Sequence, residues 1–540
     1  MNPSSSITLE HLPNEILAPI LGACVTPSLF SVCTRWRHLL ATEVMPTLYK
    51  QIGKMHVPHG DVYKQAFIID RIYKLEEDLS VTKKVNAIFR QTFVLASSLS
   101  PLELEFKWIT EEKRYFTLIN YSSYLVNINR LLTWKKIPGG EEYLDQEAIK
   151  YLPLQVKGKL LRDWIKNYSK NIRSLDLTEC GLTLIPPEIG YLSQLQFLYL
   201  NNNQLTTLPA EIGQLSQLEG LYLDSNQLTS LPTEIGQLPN LYILYLNNNH
   251  LTTLPAEIRQ LPRLRELRLN NNQLTTLPAE IGYLVQLQYL FLNNNQLTAI
   301  PAEIRQLSQL ETLNLDNNQL TSIPTEIGQL SQLQMLGLNT NQLTTLPAEI
   351  EQLSQLQYLW LNSNQLGTLP AEIGQLSQLR WFYLSDNQLT ILPKAIGQLS
   401  QLQRLELSQS QLATLPAEIG QLSQLKALCL NNNQLTTLPS QIGQLSQLQW
   451  LYLENNQLTT LPAAIGQLSQ LHHLDLDNNQ LTTLPAEIGQ LFQLEELDLN
   501  NNQLTSLPPE IKELTALKKL QVNGNPLESI PEEIKQIFSL

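Results

Sequence analysis

The sequence predicts an α/β solenoid, a curved parallel sheet on a concave side built from short stacked units and preceded by an α-helical region. Three observations predict it. From Ile172 onward one pattern returns every 23 residues, its first position falling at 172, 195, 218 and on to 517, which makes 16 units with no insertion. Hydrophobic residues are 43% of the 540, yet aromatic residues are 7% and charged residues 16%. Leu, Asn and Gln are over-represented, so length here counts stacked units rather than separate cores. Residues 1–171 lack the pattern and space their apolar residues as helices do.

Each position of the unit has a physical task. In the second unit Leu198 and Leu200 alternate with Phe197, Tyr199 and Asn201, so one set faces the core and the other faces out. Strands stacked at about 4.8 Å form a parallel sheet. The Asn203 position is Asn in 14 units, with Cys180 and Ser410 as exceptions; a buried amide there can serve backbone groups where the chain turns. Pro stands at the Pro209 position in all 16 units and suits the first turn of a short helix. Glu211 sits in that turn in 13 of 16, favourable to the helix dipole. Gly213 reads as a helix stop. Ile212 and Leu215 should cover the core from the convex side. Each buried Leu or Ile contributes about 1.5–3 kcal/mol, so one unit gains little alone and the stack gains much.

The L-x-x-L-x-L-x-x-N-x-L spacing over residues 172–540 resembles the 23-residue intracellular leucine-rich repeats of the Ras-suppressor and Scribble type, and similar arrays in bacterial proteins. The resemblance implies a curved solenoid whose concave sheet is where partners dock. The repeats agree almost everywhere except at the outward strand positions, which therefore carry the individuality. The target-binding candidates there are Phe197, Tyr199, Tyr222, Tyr245, Arg268, Tyr289, Phe291, Tyr358, Trp360, Trp381, Tyr383, Trp450, Tyr452, His473, Asp475, Glu496 and Asp498. Neighbouring strands should set Tyr358, Trp360, Trp381 and Tyr383 side by side, a cluster of the hot-spot kind. Aromatic residues also favour strands for their own sake.

Toward the C-terminus the lining turns acidic through Glu454, Asp475, Asp477, Glu496 and Asp498, with His473 among them. Such a patch is solvated, receives a Lys/Arg-rich segment, or ligates a divalent cation. Arg263, Arg265 and Arg268 form a smaller basic spot that contacts a carboxylate or pairs with Glu266.

The N-terminal stretch 9–48 reads as a small helical domain. Pro13 opens a helix with Glu15 in its first turn, and Ile16, Leu17, Ile20 and Leu21 recur at helical spacing. Pro19 falls inside that helix, where a missing backbone bond costs about 3 kcal/mol unless a kink is wanted. About 40 residues are too few to bury all these side chains alone. Leu12-Pro13-x-Glu15-Ile16-Leu17 and Val32-Cys33-x-Arg35-Trp36-Arg37 resemble the opening and close of an F-box. That resemblance implies docking on the Skp1 adaptor of cullin-RING ubiquitin ligases through Leu12, Pro13, Ile16, Ile20, Leu21, Val32 and Trp36. Residues 49–145 form a mostly helical linker, with helices over Val62–Leu79 and Val85–Leu99. Residues 146–171 form a helical cap on the open first repeat, after a loop at Pro138-Gly139-Gly140.

The remaining signals bound the function. Residues 1–171 hold 22 Lys+Arg against 17 Asp+Glu, and 172–540 hold 14 against 32; the acidic body disfavours nucleic acid. Apolar runs are too short for a membrane span, and Met1–Ile7 has no signal-peptide character. Four scattered cysteines fit a reducing compartment. No phosphate-binding loop, nucleophile elbow, H-E-x-x-H or C-x-x-C appears. Cys24 and Cys33, near His11 and His38, read as structural thiols, and Cys429 lacks a histidine beside it. No catalytic, cofactor or metal residue is assigned. The expectation is a non-catalytic cytoplasmic receptor that recruits a target protein to a Skp1-cullin-type ligase. Near-identical repeats fit recent duplication, as in effectors that intracellular bacteria deliver to the host cytosol. The alternative is a signalling scaffold with no ubiquitin link.

Overall fold

A computed structural model of the chain describes residues 32–58, 61–100, 118–168 and 171–528, with Asn14, Leu17, Ala18, Leu21, Ile530 and Ile534. It packs as two compact units, Met1–Leu264 and Arg265–Leu540.

The first unit begins with helices. Helix α1 (Thr34–Leu39) continues through a π-helical segment, Leu40–Val44, into α2 (Met45–His56). Asp61 caps α3 (Val62–Ile72), its carboxylate accepting from the Lys64 amide at 2.7 Å, and Ser80 caps α4 (Val81–Leu99). Helix α3 stops at Ile72, short of the Leu79 expected, because the chain turns through Lys74 at φ 49°. One apolar core joins Leu17, Leu21, Trp36, Leu40, Ile52, Ile69, Ile88 and Tyr121. The boundary expected at 48/49 therefore falls inside α2, and the segment before it shares a core with residues as far as Leu125. Its shortness is the reason: so few residues need apolar neighbours from elsewhere.

Helices α5 (Leu118–Lys136), α6 (Gly140–Leu144), α7 (Glu147–Lys150) and α8 (Leu154–Tyr168) follow. Gly139 has φ 79° in the expected loop, and a β-carbon on Gly140 would sit 2.0 Å from the Trp134 carbonyl oxygen, so this turn admits no side chain there. The cap on the first repeat is wider than residues 146–171. Helix α5 supplies its polar contacts: Asn129 Oδ1 accepts from the Thr183 amide at 2.8 Å, and Arg130 donates to both Glu188 carboxylate oxygens at 2.8 and 3.2 Å. Helix α3 lies against the edge of later repeats. Phe67 meets the His250 ring edge-on at 5.7 Å, Lys64 Nζ donates to the His250 carbonyl at 3.3 Å, and Thr206, Gln227 and Thr229 are buried. His250 replaces the Gln that most repeats carry at this position.

Strands β1 (Ser174–Asp176), β2 (Phe197–Tyr199), β3 (Gly220–Tyr222) and β4 (Ile243–Tyr245) pair in parallel, in chain order and in register. The second unit continues the pattern from β5 (Glu266–Arg268) to β16 (Lys519–Gln521), again parallel and in chain order. The described repeats of each unit thus stack as a solenoid, with leucines such as Leu198 and Leu200 wholly buried. After the proline of each repeat from Pro186 to Pro508 comes a five-residue 3-10 turn, such as Ala210–Gln214, in place of the short helix expected. Gly213 is no left-handed stop, since its φ is not positive. A β-carbon there would lie 2.8 Å from the Glu234 carbonyl oxygen, so glycine lets successive turns approach. Arg259, Arg305 and Glu351 show that the position tolerates a side chain.

The asparagine ladder is what locks one repeat to the next. Asn203 Nδ2 donates to the Leu177 and Leu200 carbonyls at 2.8 and 3.0 Å, while its Oδ1 accepts from the Leu182 amide at 2.9 Å. The residue before it is left-handed throughout, from Glu179 at φ 57° to Asn501 at φ 52°, with Gly524 closing the series; Asn tolerates that region best among larger residues. Ser410 is too short for the ladder: its hydroxyl is buried without a partner. Ser410→Asn should restore the bonds and raise stability by about 1–2 kcal/mol, read as a shift in urea midpoint.

Candidate protein-binding face

A strand of three residues in this register must point its first and third side chains away from the buried leucine between them. The structure places the predicted candidates accordingly. Tyr199 and Tyr222 stack at 4.6 Å and 12°, and Tyr245 meets Tyr222 edge-on at 5.1 Å. In the second unit β9 (Tyr358–Trp360) pairs with β10 (Trp381–Tyr383). Tyr358 and Trp381 meet edge-on at 5.1 Å, Trp360 and Tyr383 stack at 6.4 Å, and Trp381 stays 40% exposed. The expected cluster is therefore assembled on the open face. Phe197 is half-buried at an outward strand position of the first unit; in the second, Tyr289, Phe291 and Tyr452 are half-buried at outward positions and Trp450 is exposed.

Beyond β10 the face dips. Strand β11 (Arg404–Glu406) carries an ion pair at 2.5 Å, and β12 (Ala427–Cys429) offers only small, buried side chains below Trp450 and Tyr452 of β13 (Trp450–Tyr452). Burial and the Glu406 carboxylate push the Cys429 thiol up to about 12, which holds it protonated and unreactive at neutral pH.

The acidic end sorts into three kinds of carboxylate. On β15 (Glu496–Asp498), Asp498 is buried rather than open, because Lys519 Nζ at 3.1 Å and the Gln521 amide close over it; it leaves the set of contact residues. His473, Glu496 and Asp498 come within 4.8 Å of one another, but the Lys519 ammonium already lies 3.9 Å from Glu496, and His473 Nδ1 lies 3.1 Å from the same carboxylate. Asp477 belongs to a second ladder that the sequence reading missed. Its Oδ1 accepts from the Asn500 amide at 2.6 Å, as Asn201 accepts from Asp224 and Asp316 from Asn339. The recurrence of Asn or Asp at this position was its only sequence signal. Asp475, on β14 (His473–Asp475), remains. Burial, then the charges of Asp477, Glu454 and Asp498, raises its carboxyl to about 6 against a bond from the Asp477 amide.

A folded pKa above the unfolded value means that stability from this group is present at low pH and lost as pH rises through about 6. Asp475→Asn should therefore stabilise the protein at pH 7.5 by about 1 kcal/mol, discounted for its partial exposure, and the gain should vanish by pH 4 in thermal melts. The basic spot resolves as internal pairing: Arg268 bonds Glu266 at 2.6 Å, and Arg263 donates to Asn240 at 2.8 Å.

Among the F-box-like residues, Leu12, Pro13, Ile16 and Ile20 lie outside the described residues, as does Cys24. Leu21 and Trp36 are buried in the helical core, so neither offers its side chain to a partner, whereas Val32 is 51% exposed. Cys33 accepts from the Trp36 amide at 3.4 Å as the cap of α1.

A stacked sheet with one variable outward row defines a repeat scaffold for binding. The leucine-rich repeat region profile matches residues 276–368, 370–451, 417–498 and 463–540, and the leucine rich repeat profile matches 170–228, 216–274 and 239–297. A leucine-rich repeat protein of Leptospira interrogans is 45% identical over 69% of this chain and 95% of its own, with a TM-score of 0.62. The functional domain of InlJ from Listeria monocytogenes is 26% identical over 65% of this chain and 72% of its own, at TM-score 0.53. The Toll–Spätzle complex of Drosophila, at 24% identity over 64% of this chain and 49% of its own and TM-score 0.57, shares the fold. No curated protein matches. The chain belongs to the leucine-rich repeat family, whose members generally bind other proteins.

Proposed function

We propose that the chain is a non-catalytic receptor that holds a target protein on the outward face of its sheet. The observation that carries this is the aromatic cluster of Tyr358, Trp360, Trp381 and Tyr383, apolar area left open where a repeat fold needs none. Affinity capture on the purified chain, followed by Trp360→Ala/Trp381→Ala, tests it. The double variant should lose at least tenfold in target affinity with a melting temperature within a few degrees of wild type. A large stability loss, or unchanged capture, rejects the face.

In the finer reading the N-terminal helices couple this receptor to a Skp1-cullin-type ubiquitin ligase in the cytosol, or in the host cytosol if a bacterium delivers it. Its support is the F-box-like residues and the exposure of Val32. Burial of Leu21 and Trp36 favours the second reading, a scaffold whose F-box-like residues pack internally. Pull-down with purified Skp1 separates them: binding that Leu12→Ala/Pro13→Ala abolishes supports the ligase link, and no binding by wild type supports the scaffold.

A further inference from the structure

From β5 to β16 the outward strand positions carry five carboxylates, and three cations of the chain serve four of them. Glu266 has Arg268 at 2.6 Å, Glu406 has Arg404 at 2.5 Å, and Lys519 serves Asp498 at 3.1 Å and Glu496 at 3.9 Å. Asp475 is the fifth, and no cation pairs with it among the described residues. Its neighbours add negative charge: Glu454 follows β13, and the laddered Asp477 follows β14. The strand register sets Asp475 beside Tyr452 and His473 beside Trp450, and the Tyr452 and His473 rings lie 4.9 Å apart. Trp450 is 39% exposed at the rim.

We propose that this place on β13 and β14 receives a lysine or arginine side chain of the bound target. An aromatic face attracts a cation through its quadrupole, and a carboxylate at the far side completes the pairing. Lys519 shows the carboxylate half of this arrangement within the chain, an ammonium seated on outward carboxylates two strands further on. A divalent cation would find a Trp and a Tyr ring where it needs oxygen ligands, whereas a cationic side chain is met by both the rings and the carboxylate. The occupant is therefore a cationic segment of polypeptide. The inference rests on the receptor reading above and narrows it to a class of target sequence.

Fluorescence anisotropy with labelled (Lys-Ala)6, (Arg-Ala)6 and (Gln-Ala)6 on the full chain tests it at 50 mM and 500 mM salt. Binding of the lysine or arginine peptide, weakened at least tenfold by Asp475→Asn and by Trp450→Ala, is the expected result. Glu487→Gln removes the same charge from a 3-10 turn and should change nothing. Because Asp475→Asn is expected to stabilise the fold, its loss of binding cannot be ascribed to unfolding. Equal weakening by Asp475→Asn and Glu487→Gln would mean a diffuse acidic surface and overturn the site. Binding of (Gln-Ala)6 as tight as that of the cationic peptides, or one-to-one displacement of them by Ca2+, would overturn it too. A captured target that depends on Trp360 and Trp381 but not on Asp475 would sink this inference and leave the receptor standing.

Discussion

Asn318→Ala is expected to remove about 3–5 kcal/mol from the stability of the array. The side chain is buried and fully engaged: Nδ2 donates to the Leu292 and Leu315 carbonyls at 3.0 and 2.9 Å, and Oδ1 accepts from the Leu297 amide at 3.0 Å. Alanine would leave those backbone groups without partners and without water, at about 1–3 kcal/mol each. Asp would keep the acceptor, lose the donors and bury a charge, so it should rescue nothing. Since a solenoid is held by nearest-neighbour interfaces, the damage should be local. Hydrogen exchange should rise in the repeats around residues 292–341 and leave both ends protected, with a lowered first transition in urea. Uniform exchange along the chain would show that the ladder does not set the cooperativity.

Arg130→Ala should cost a similar amount, about 3–5 kcal/mol, because it strands a buried charge. Glu188 is almost wholly buried beneath α5, with Arg130 as its paired cation. The double variant Arg130→Met/Glu188→Leu should recover most of the loss, since an apolar pair needs no desolvation. Urea denaturation followed by near-ultraviolet circular dichroism, which sees Trp134 and Trp164 beside the cap, checks both. An Arg130→Ala variant as stable as wild type would mean that the ion pair is solvated and that the cap is held without it.

Much of the fold was legible in the sequence because a 23-residue period repeats each local decision many times. The Leu198 and Leu200 positions, the outward Tyr199 column and the Asn203 amide each follow from one chemical requirement that every repeat must meet. Gly213 was misread because its role lies between repeats: only stacking brings the Glu234 carbonyl over it. The ladder of Asn201 and Asp477 was missed for the same reason, since it joins residues 23 apart whose acceptors vary among Asn, Asp and Ser. The expected helical boundaries failed where a short segment borrowed its core from distant helices, as Leu21 and Trp36 do.

The sequence by itself determined the period, the parallel sheet, the inward and outward columns, and the aromatic residues that stand on the open face. Tertiary structure alone decided which equivalent residues differ in role. Glu188 and Glu211 share one column, yet only Glu188 is buried, because α5 covers it. Asp475 and Asp498 share another, yet Lys519 closes over only Asp498. The physical reason is that a side chain's ionisation and accessibility depend on what packs above it, and no repeat encodes its own neighbour.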